Sequence, residues 1–198
     1  GVFYSDAMDE LGSFAIKHNI PVTQTVMGYS TMKRDHSHFL GPIGGLGGRA
    51  ANNLAKETDL AICVGTKLAD FTTGSWANFE NPEFKLVSIN IARHDANKHL
   101  AEAVIGDAKV CLSELSNSLG NWKSPESWHK KSQDELKSWN EYVDKESGPT
   151  NQETPNYAHA VGAIYRNSDP TDIAVTAAGG LVGEVVQVWR PKELNTHE

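Results

Sequence analysis

The chain has 198 residues, and its formal net charge is -7 at pH 7. This length allows one domain, or one domain and part of a second, because single domains usually contain about 100 to 200 residues. The negative charge disfavours nucleic acid as a partner. No apolar stretch approaches the roughly 20 residues that span a bilayer, and the N-terminus lacks the pattern of a signal peptide. We therefore expect a cytoplasmic protein that does not bind membranes.

The two cysteines, Cys63 and Cys111, lie in apolar periodic segments and form no CxxC pair. This placement favours small core residues over a disulfide or a zinc site.

The first predicted helix has Ser5 as its N-cap and acidic residues in its first turn. Its apolar positions recur at the spacing of one helical face and are Leu11, Phe14, Ala15 and His18.

Three short, β-branched and apolar segments then predict buried parallel strands at Ile20–Val26, Leu60–Val64 and Leu86–Ile91. Helices are predicted at Gly48–Glu57 and Asp107–Leu119, the second capped by Asp107. Alternating strands and helices indicate an α/β fold with a doubly wound, mostly parallel sheet and helices on both faces.

Residues 121–154 are polar and predict a linker helix that packs through a narrow apolar stripe. Gly148–Thr150 ends this helix, and a second unit begins near Pro155 with a helix that carries Tyr157, Val161 and Ile164. In that unit a strand is predicted at residues 172–176, a turn at Gly179 and Gly180, and a helix at residues 181–189.

We therefore expect a central Rossmann-like domain at 1–120, a helical linker at 121–154 and the incomplete start of a further α/β domain at 155–198. A doubly wound unit normally opens with a buried strand, but a helix comes first here. The chain is therefore predicted to be a fragment whose first strand lies upstream of Gly1.

Gly45–Ala50 matches the GxGxxA form of the dinucleotide-binding fingerprint. That fingerprint follows a strand directly, whereas Asp35–Ile43 contains histidine, glycine and proline and predicts no strand. The pattern therefore favours a close-packed loop and helix start over a nucleotide site.

His36 and His38 lie two residues apart beside Asp35, a spacing that could place two imidazoles on a metal. No third ligand follows at a suitable spacing, so solvated or hydrogen-bonded histidines are favoured, and no metal site is predicted.

Several stretches together resemble the central domain of the family of acetolactate synthase, pyruvate oxidase and related thiamine-diphosphate enzymes. The resemblance covers nearly all of residues 1–120 and is carried by Ile20–Val22, Met27–Gly28, Leu40–Gly41, Gly44–Gly48, Ala50–Leu54, Asp59–Gly65, Lys85–Ile91 and Ile105–Ala108. Within this family, Val64–Ser75, Ile173–Gly183 and Trp189–Asn195 resemble the branch that opens a cyclic 1,2-dione during inositol catabolism.

The resemblance implies a thiamine-diphosphate- and Mg²⁺-dependent C–C bond hydrolase of three domains that forms a homo-oligomer. Its activating glutamate is expected upstream of Gly1, and its diphosphate motif with the Mg²⁺ ligands downstream of Glu198. The fragment is then a structural middle domain without catalytic residues, and its partners are the other domains of the same protein.

The resemblance also implies cofactor-facing loops in this chain. Thr176, Gly179 and Gly180 are expected near the diphosphate, although Ala177 stands where many relatives have aspartate. Part of the active-site wall is expected at Met27, Gly28, Gly44 and Gly45.

Some relatives bind FAD or ADP through an Arg-x-Asp-x-Arg pattern and an acidic residue at the end of the next strand. This chain has Lys67, Ala69 and Phe71, and then Asn90, which makes FAD an unfavoured ligand. Two alternatives stay open. One is an ADP- or FAD-binding regulatory module, and the other is the central domain of another thiamine enzyme such as an acetolactate synthase, although the Phe71–Ser75 segment favours the dione-opening branch.

Overall fold

The computed structural model describes residues 1–194. Its strands are β1 (Val22–Gln24), β2 (Phe39–Pro42), β3 (Leu60–Val64), β4 (Lys85–Asn90) and β5 (Glu102–Ile105). Its helices are α1 (Met8–His18), α2 (Arg49–Glu57), α3 (Asp70–Thr73), α4 (Arg93–Ala96), α5 (Ala108–Leu119), α6 (Glu126–Glu146), α7 (Tyr157–Asn167) and α8 (Gly180–Val188). Short 3-10 turns occupy Val26–Gly28 and Lys98–Leu100.

All strand pairs are parallel, and strands alternate with helices as an α/β fold requires. The strands form a two-stranded sheet, β1-β2, and a three-stranded sheet, β3-β4-β5, instead of the single sheet expected from the sequence. The two sheets are separated between β1 and β3, which do not pair with each other in the described chain.

One face of both sheets is covered by α1 and α5, in what we call the α1–α5 core. Its buried residues are Val2, Ala7, Leu11, Phe14, Met32, Phe39, Ala108 and Leu112. Four residues form the buried face of α1, and they are the four that the sequence predicted: Leu11, Phe14, Ala15 and His18. Asp107 caps α5 as predicted, since its side chain accepts from the amides of Lys109 and Val110. The cap predicted for α1 is wrong, because Ser5 lies in a turn and the helix begins after Ala7.

The opposite face of β2 contributes to a second core, which we call the α2–α6 core. Its buried residues are Leu40, Ile43, Ala50, Ala51, Leu54, Ala55, Trp139, Val143, Ala158, Val161, Val185, Val188 and Trp189. These side chains come from β2 and the residue after it, and from four helices that are distant in sequence, the last of which is followed by Trp189. The polar helix α6 is thereby packed along α2, with Trp139 and Val143 buried and Tyr142 half exposed.

The strand β2 was missed in the sequence. It contains Gly41, whose φ of +89° lies in the left-handed region, and Pro42, which has no amide to donate. Its pairing with β1 is irregular between Val22 and Gln24, as expected where one strand bulges. Because β2 leads directly into the Gly44–Gly48 loop, the sequence-based objection that no strand precedes the GxGxxA motif is wrong.

The predicted strand at residues 172–176 does not form, and only Ala174 makes an isolated bridge. A strand needs partners to satisfy its backbone, and the described part of this unit supplies none. The predicted helices are present as α7 and α8, but Tyr157 and Ile164 are exposed, and α7 buries Ala158, Val161 and Gly162 instead.

A polar junction joins α6 to the first sheet around the buried side chain of His38. The ring of His38 stacks on His129 with 4.2 Å between centroids, and its Nε2 lies 3.2 Å from Asn19 Oδ1. The Asn19 amide in turn donates to Glu126 on α6. Burial, followed by repulsion from His129 and His36, lowers the pKa of His38 to about 4, although Glu126 opposes the shift.

This junction predicts a loss of stability in mild acid. In the unfolded chain His38 has its ordinary pKa of 6.5 and is protonated below that pH. In the folded chain it stays neutral until the pH falls to about 4, so acid favours the unfolded state. The free energy of unfolding should therefore fall by about 2 kcal/mol as the pH decreases through that window. Urea unfolding at several pH values measures the change. His38→Gln should show a flatter dependence, and equal slopes for both proteins would contradict the assignment.

Candidate functional site

The expected active-site wall lies at the carboxyl ends of β1 and β2. Because these strands are parallel neighbours, the segments that follow them emerge at the same edge of the sheet. The amide of Ile43 donates to the carbonyl oxygen of Gln24 at 2.8 Å, which joins the two strand ends directly. The structure therefore brings Met27 and Gly28 to the same edge as Gly44 and Gly45.

The first of these segments is the 3-10 turn Val26–Gly28. Thr25 caps it, because its hydroxyl oxygen accepts from the Gly28 amide at 3.1 Å. The cap leaves the Met27 side chain 95% exposed, at the tip of the turn. A flexible apolar side chain in this position is suited to contacting another surface or an apolar part of a ligand.

The second segment, the loop of Gly44 and Gly45, is fixed from two sides. The Gly45 amide donates to the Phe71 carbonyl at 2.7 Å, and any Cβ on Gly44 would overlap that carbonyl oxygen. Gly44 also has a φ of +112°, so glycine is required there for both conformation and space. On the other side, Asn52 of α2 accepts from the Gly44 amide and donates to its carbonyl, both at 3.0 Å.

The end of the same loop is closed by α6. An ideal Cβ on Gly48 would lie 2.7 Å from the indole Nε1 of Trp139, and the Arg49 guanidinium lies 5.8 Å from the centre of that ring. A phosphate bound at a helix start needs access to the backbone amides of its first turn. At α2 the indole occupies that space, which favours the close-packed interpretation of the GxGxxA motif.

The third candidate segment, Thr176–Gly180, leads into α8. Gly179 and Gly180 are exposed and Thr176 is half buried. Gly179 has a φ of +137° with open space around its Cα, and the first turn of α8 carries no acidic residue. An exposed helix start of this kind suits an anionic group such as a diphosphate.

Two contacts place α8 beside the wall. An ideal Cβ on Gly183, one turn into the helix, would lie 3.6 Å from the Leu46 side chain. The buried Tyr29 hydroxyl, just after the 3-10 turn, donates to Val186 at 2.7 Å and contacts the Trp189 carbonyl. These contacts bring α8, the helix that follows Thr176–Gly180, beside the Gly44–Gly48 loop and the 3-10 turn. Asn195, the last residue of the resemblance at Trp189–Asn195, lies outside the described residues.

The position at which some relatives carry a ribose-binding acid is occupied by Asn90. Its side chain is neutral and used locally, since it donates to the Thr66 carbonyl at 3.3 Å and accepts from the Ala92 amide at 2.9 Å. It therefore joins the carboxyl ends of β3 and β4 and offers no carboxylate to a ribose.

Within residues 1–194, no group of three or more histidine, cysteine or acidic side chains could hold a metal ion. The His36 and His38 rings, 6.0 Å apart, face other protein groups, as the hydrogen-bonded interpretation expected. The same described range contains no helix that is long and apolar enough to cross a membrane.

Comparison with known proteins agrees with this geometry. Residues 1–115 match the family described as thiamine pyrophosphate enzyme, central domain. The chain therefore belongs to this family of central domains.

The chain is also similar to curated relatives along its whole length. It is 34% identical over 212 residues to the 3D-(3,5/4)-trihydroxycyclohexane-1,2-dione hydrolase of Clostridium perfringens (strain 13 / Type A), covering 96% of this chain and 33% of the relative. It is 33% identical to the enzymes of the same name from Clostridium botulinum (strain Eklund 17B / Type B) and Bacillus anthracis, covering 100% of this chain and 34% of each relative. The chain thus spans about a third of the length of these relatives.

Sequence reasoning missed the two residues that fix the site segments, Asn52 and Tyr29. A signal existed for Asn52, because asparagine is a poor helix former and here lies beside the apolar positions of α2. Tyr29 bonds to residues more than 150 positions away, and nothing in its local sequence indicates those partners.

Replacing Asn52 by alanine should loosen the Gly44 loop. The change leaves the Gly44 amide and carbonyl without their partner, so we expect the free energy of unfolding to decrease by about 1–3 kcal/mol. The matched control is Asn53→Ala, which removes a single half-exposed bond to Glu135 and should cost about 0.5 kcal/mol. Urea unfolding of both variants measures the difference, and equal costs would contradict the role of Asn52.

Proposed function

We propose that this chain is the structural middle part of a thiamine-diphosphate-dependent hydrolase that cleaves a C–C bond of a cyclic 1,2-dione in myo-inositol breakdown. The observation that carries the proposal is the similarity to relatives of that name, which extends over 96% to 100% of the chain. It therefore includes α6, α7 and α8, which lie beyond the family match at residues 1–115.

The described residues could contact only one part of thiamine diphosphate, its diphosphate group. The exposed start of α8 offers backbone amides and a positive helix end to a diphosphate, with Thr176, Gly179 and Gly180 as the contacting residues. When bound, the cofactor supplies an electron sink for cleavage of a bond next to a carbonyl. This chain positions the loops around the reacting bond, while the catalytic groups and the Mg²⁺ ligands belong to other domains.

The wall segments are built for such a role. Gly44 and Gly45 are fixed by Phe71 and Asn52, so their backbone can serve as a rigid surface from which water is excluded. Met27 projects beyond Gly28 and offers a mobile apolar contact. The partners of these surfaces are the remaining domains of the same protein, in a cytoplasmic homo-oligomer.

The two alternative functions would require other features of the site. A nucleotide-binding regulatory module would need an accessible phosphate site and a ribose acid, but Trp139 covers Gly48 and position 90 is a neutral asparagine. The central domain of an acetolactate synthase would have the same fold, so it is distinguished by substrate and not by architecture.

A turnover assay of the longer protein that contains this chain tests the proposal. With thiamine diphosphate and Mg²⁺ present, we expect hydrolysis of the cyclic trihydroxy-dione and no acetolactate from pyruvate. Acetolactate formation without dione hydrolysis would overturn the proposal in favour of the other thiamine enzyme.

The same assay, applied to the variant Met27→Ala, tests whether Met27 belongs to the active-site wall. Met27 is 95% exposed, so the variant should keep the stability of the parent protein while turnover or substrate affinity falls about tenfold, or about 1.4 kcal/mol. The matched control is Leu100→Ala, an apolar side chain that is equally exposed but lies on the β4–β5 connection. If both variants behave alike, Met27 is not part of the active-site wall.

A further inference from the structure

An exposed aromatic side chain, that of Phe71, lies beside the active-site wall. Phe71 belongs to α3, which follows the carboxyl end of β3, and its side chain is 71% exposed. Its carbonyl oxygen accepts from the Gly45 amide at 2.7 Å, which holds this residue against the wall. The carboxyl ends of parallel strands are where ligands bind in α/β folds. Phe71 is therefore an apolar group at the edge where a substrate is expected.

The backbone that carries Phe71 is anchored to the same side chain as the wall. The buried side chain of Asn78, in the segment that follows α3, donates to Asn52 Oδ1 at 3.2 Å. The same oxygen accepts from the Gly44 amide at 3.0 Å. Because both segments are fixed through Asn52, the position of Phe71 relative to the glycine loop is set before any ligand binds.

The turn after α3 is held in an unfavourable conformation. Gly74, Ser75 and Trp76 are consecutive residues with φ of +59°, +53° and +71°, in the left-handed region that residues other than glycine rarely adopt. The Trp76 amide is held in place by the Thr73 hydroxyl oxygen at 3.2 Å. Backbone strain of this kind is concentrated at ligand sites, where the surrounding structure maintains one geometry.

The glycine at position 45 leaves the Phe71 ring open on one side. Unlike Gly44, Gly45 does not have a left-handed φ. A Cβ there would make only ordinary contacts, at 3.7 Å from the Phe71 carbonyl oxygen and 3.8 Å from ring atom Cδ1. Neither conformation nor space therefore requires glycine, but any larger side chain would lie against the ring.

The substrate in the name of the relatives has a shape that suits such a ring. In a trihydroxycyclohexane-1,2-dione, the descriptor (3,5/4) places the hydroxyl groups of carbons 3 and 5 on one side of the ring and that of carbon 4 on the other. Neighbouring hydroxyls are thus trans and can all be equatorial, so C–H bonds point to both faces and the oxygens lie around the rim. The face of a benzene ring is electron-rich and attracts such C–H hydrogens.

We propose that Phe71 is a substrate-contacting residue, whose ring stacks on one apolar face of a neutral, polyhydroxylated cyclohexane ring. The Gly45 backbone lies beside the stacked rings. The contact favours such a substrate over a small anion such as pyruvate, because phenylalanine stands where the Arg-x-Asp-x-Arg pattern of some relatives ends in arginine. This inference rests on the proposed function, since it concerns the substrate of that same site.

The test uses the longer protein that contains this chain, with thiamine diphosphate and Mg²⁺. For Phe71→Ala, kcat/KM for the cyclic trihydroxy-dione should fall about tenfold, mainly through a higher KM, as expected for loss of one aromatic stacking contact. Phe71→Tyr keeps the aromatic face and should stay within about twofold of the parent protein. The concentration of thiamine diphosphate that gives half-maximal activity should not change in either variant, because Phe71 contacts the substrate and not the cofactor.

The matched control is Ile91→Ala. Ile91 follows the neighbouring strand β4 and its side chain is 75% exposed, so its truncation should leave kcat/KM unchanged. Melting temperatures of all variants are measured in parallel, and they should match that of the parent protein.

The outcomes separate this inference from the proposed function. If the parent protein hydrolyses the dione and Phe71→Ala does so with the same kcat/KM, the stacking contact does not exist. A lowered melting temperature of Phe71→Ala, or activity of Phe71→Tyr no better than that of Phe71→Ala, would equally overturn it, because the ring would then pack against protein. Failure of the parent protein to hydrolyse the dione would overturn the proposed function and this inference with it.

Discussion

The packing of Trp139 on the start of α2 is the contact on which the arrangement of the site depends. The indole lies against Gly48, where a methyl group would not fit, and the Arg49 guanidinium lies over the rings of Trp139 and Tyr142. Burying an aromatic side chain of this size contributes several kcal/mol before the entropy cost of ordering it. Through this contact α6 closes the α2–α6 core, to which α7 and α8 also add their buried faces.

The same contact also fixes the loop that follows β2. Because α2 is fixed at Gly48, its residue Asn52 can bond to both backbone groups of Gly44, and the loop between them becomes rigid. Tyr29 then connects the neighbouring 3-10 turn to the end of α8. The 3-10 turn and the Gly44–Gly48 loop thus share one sheet edge, and α8, which follows the third candidate segment, packs beside them.

Local patterns in the sequence were sufficient to predict the elements that are stable for local reasons. The apolar run of β3, the capped stripe of α5 and the buried face of α1 all appear where periodicity placed them. The strand β2 was missed because Gly41 and Pro42 are unfavourable for a strand, and here pairing with β1 and burial on both faces override that preference. The predicted strand at residues 172–176 failed for the opposite reason, since its composition suits a strand but no described partner satisfies its backbone.

The candidate site was predictable only in part. The resemblance assigned Met27, Gly28, Gly44 and Gly45 to the expected active-site wall, and parallel pairing explains why they meet at one edge. The residues that hold these loops could not be predicted in the same way, because the bonds of Asn52 and Tyr29 depend on how α2 and α8 pack.

The central claim is that this chain shapes a thiamine-diphosphate site without binding the cofactor by itself. Calorimetric titration of the 198-residue chain tests it most directly, first with thiamine diphosphate and Mg²⁺ and then separately with ADP and FAD, at ligand concentrations near the millimolar range. The account predicts no heat of binding for any of the three ligands. A saturable heat with thiamine diphosphate would contradict the claim directly, and a saturable heat with ADP or FAD would instead identify the chain as a nucleotide-binding module.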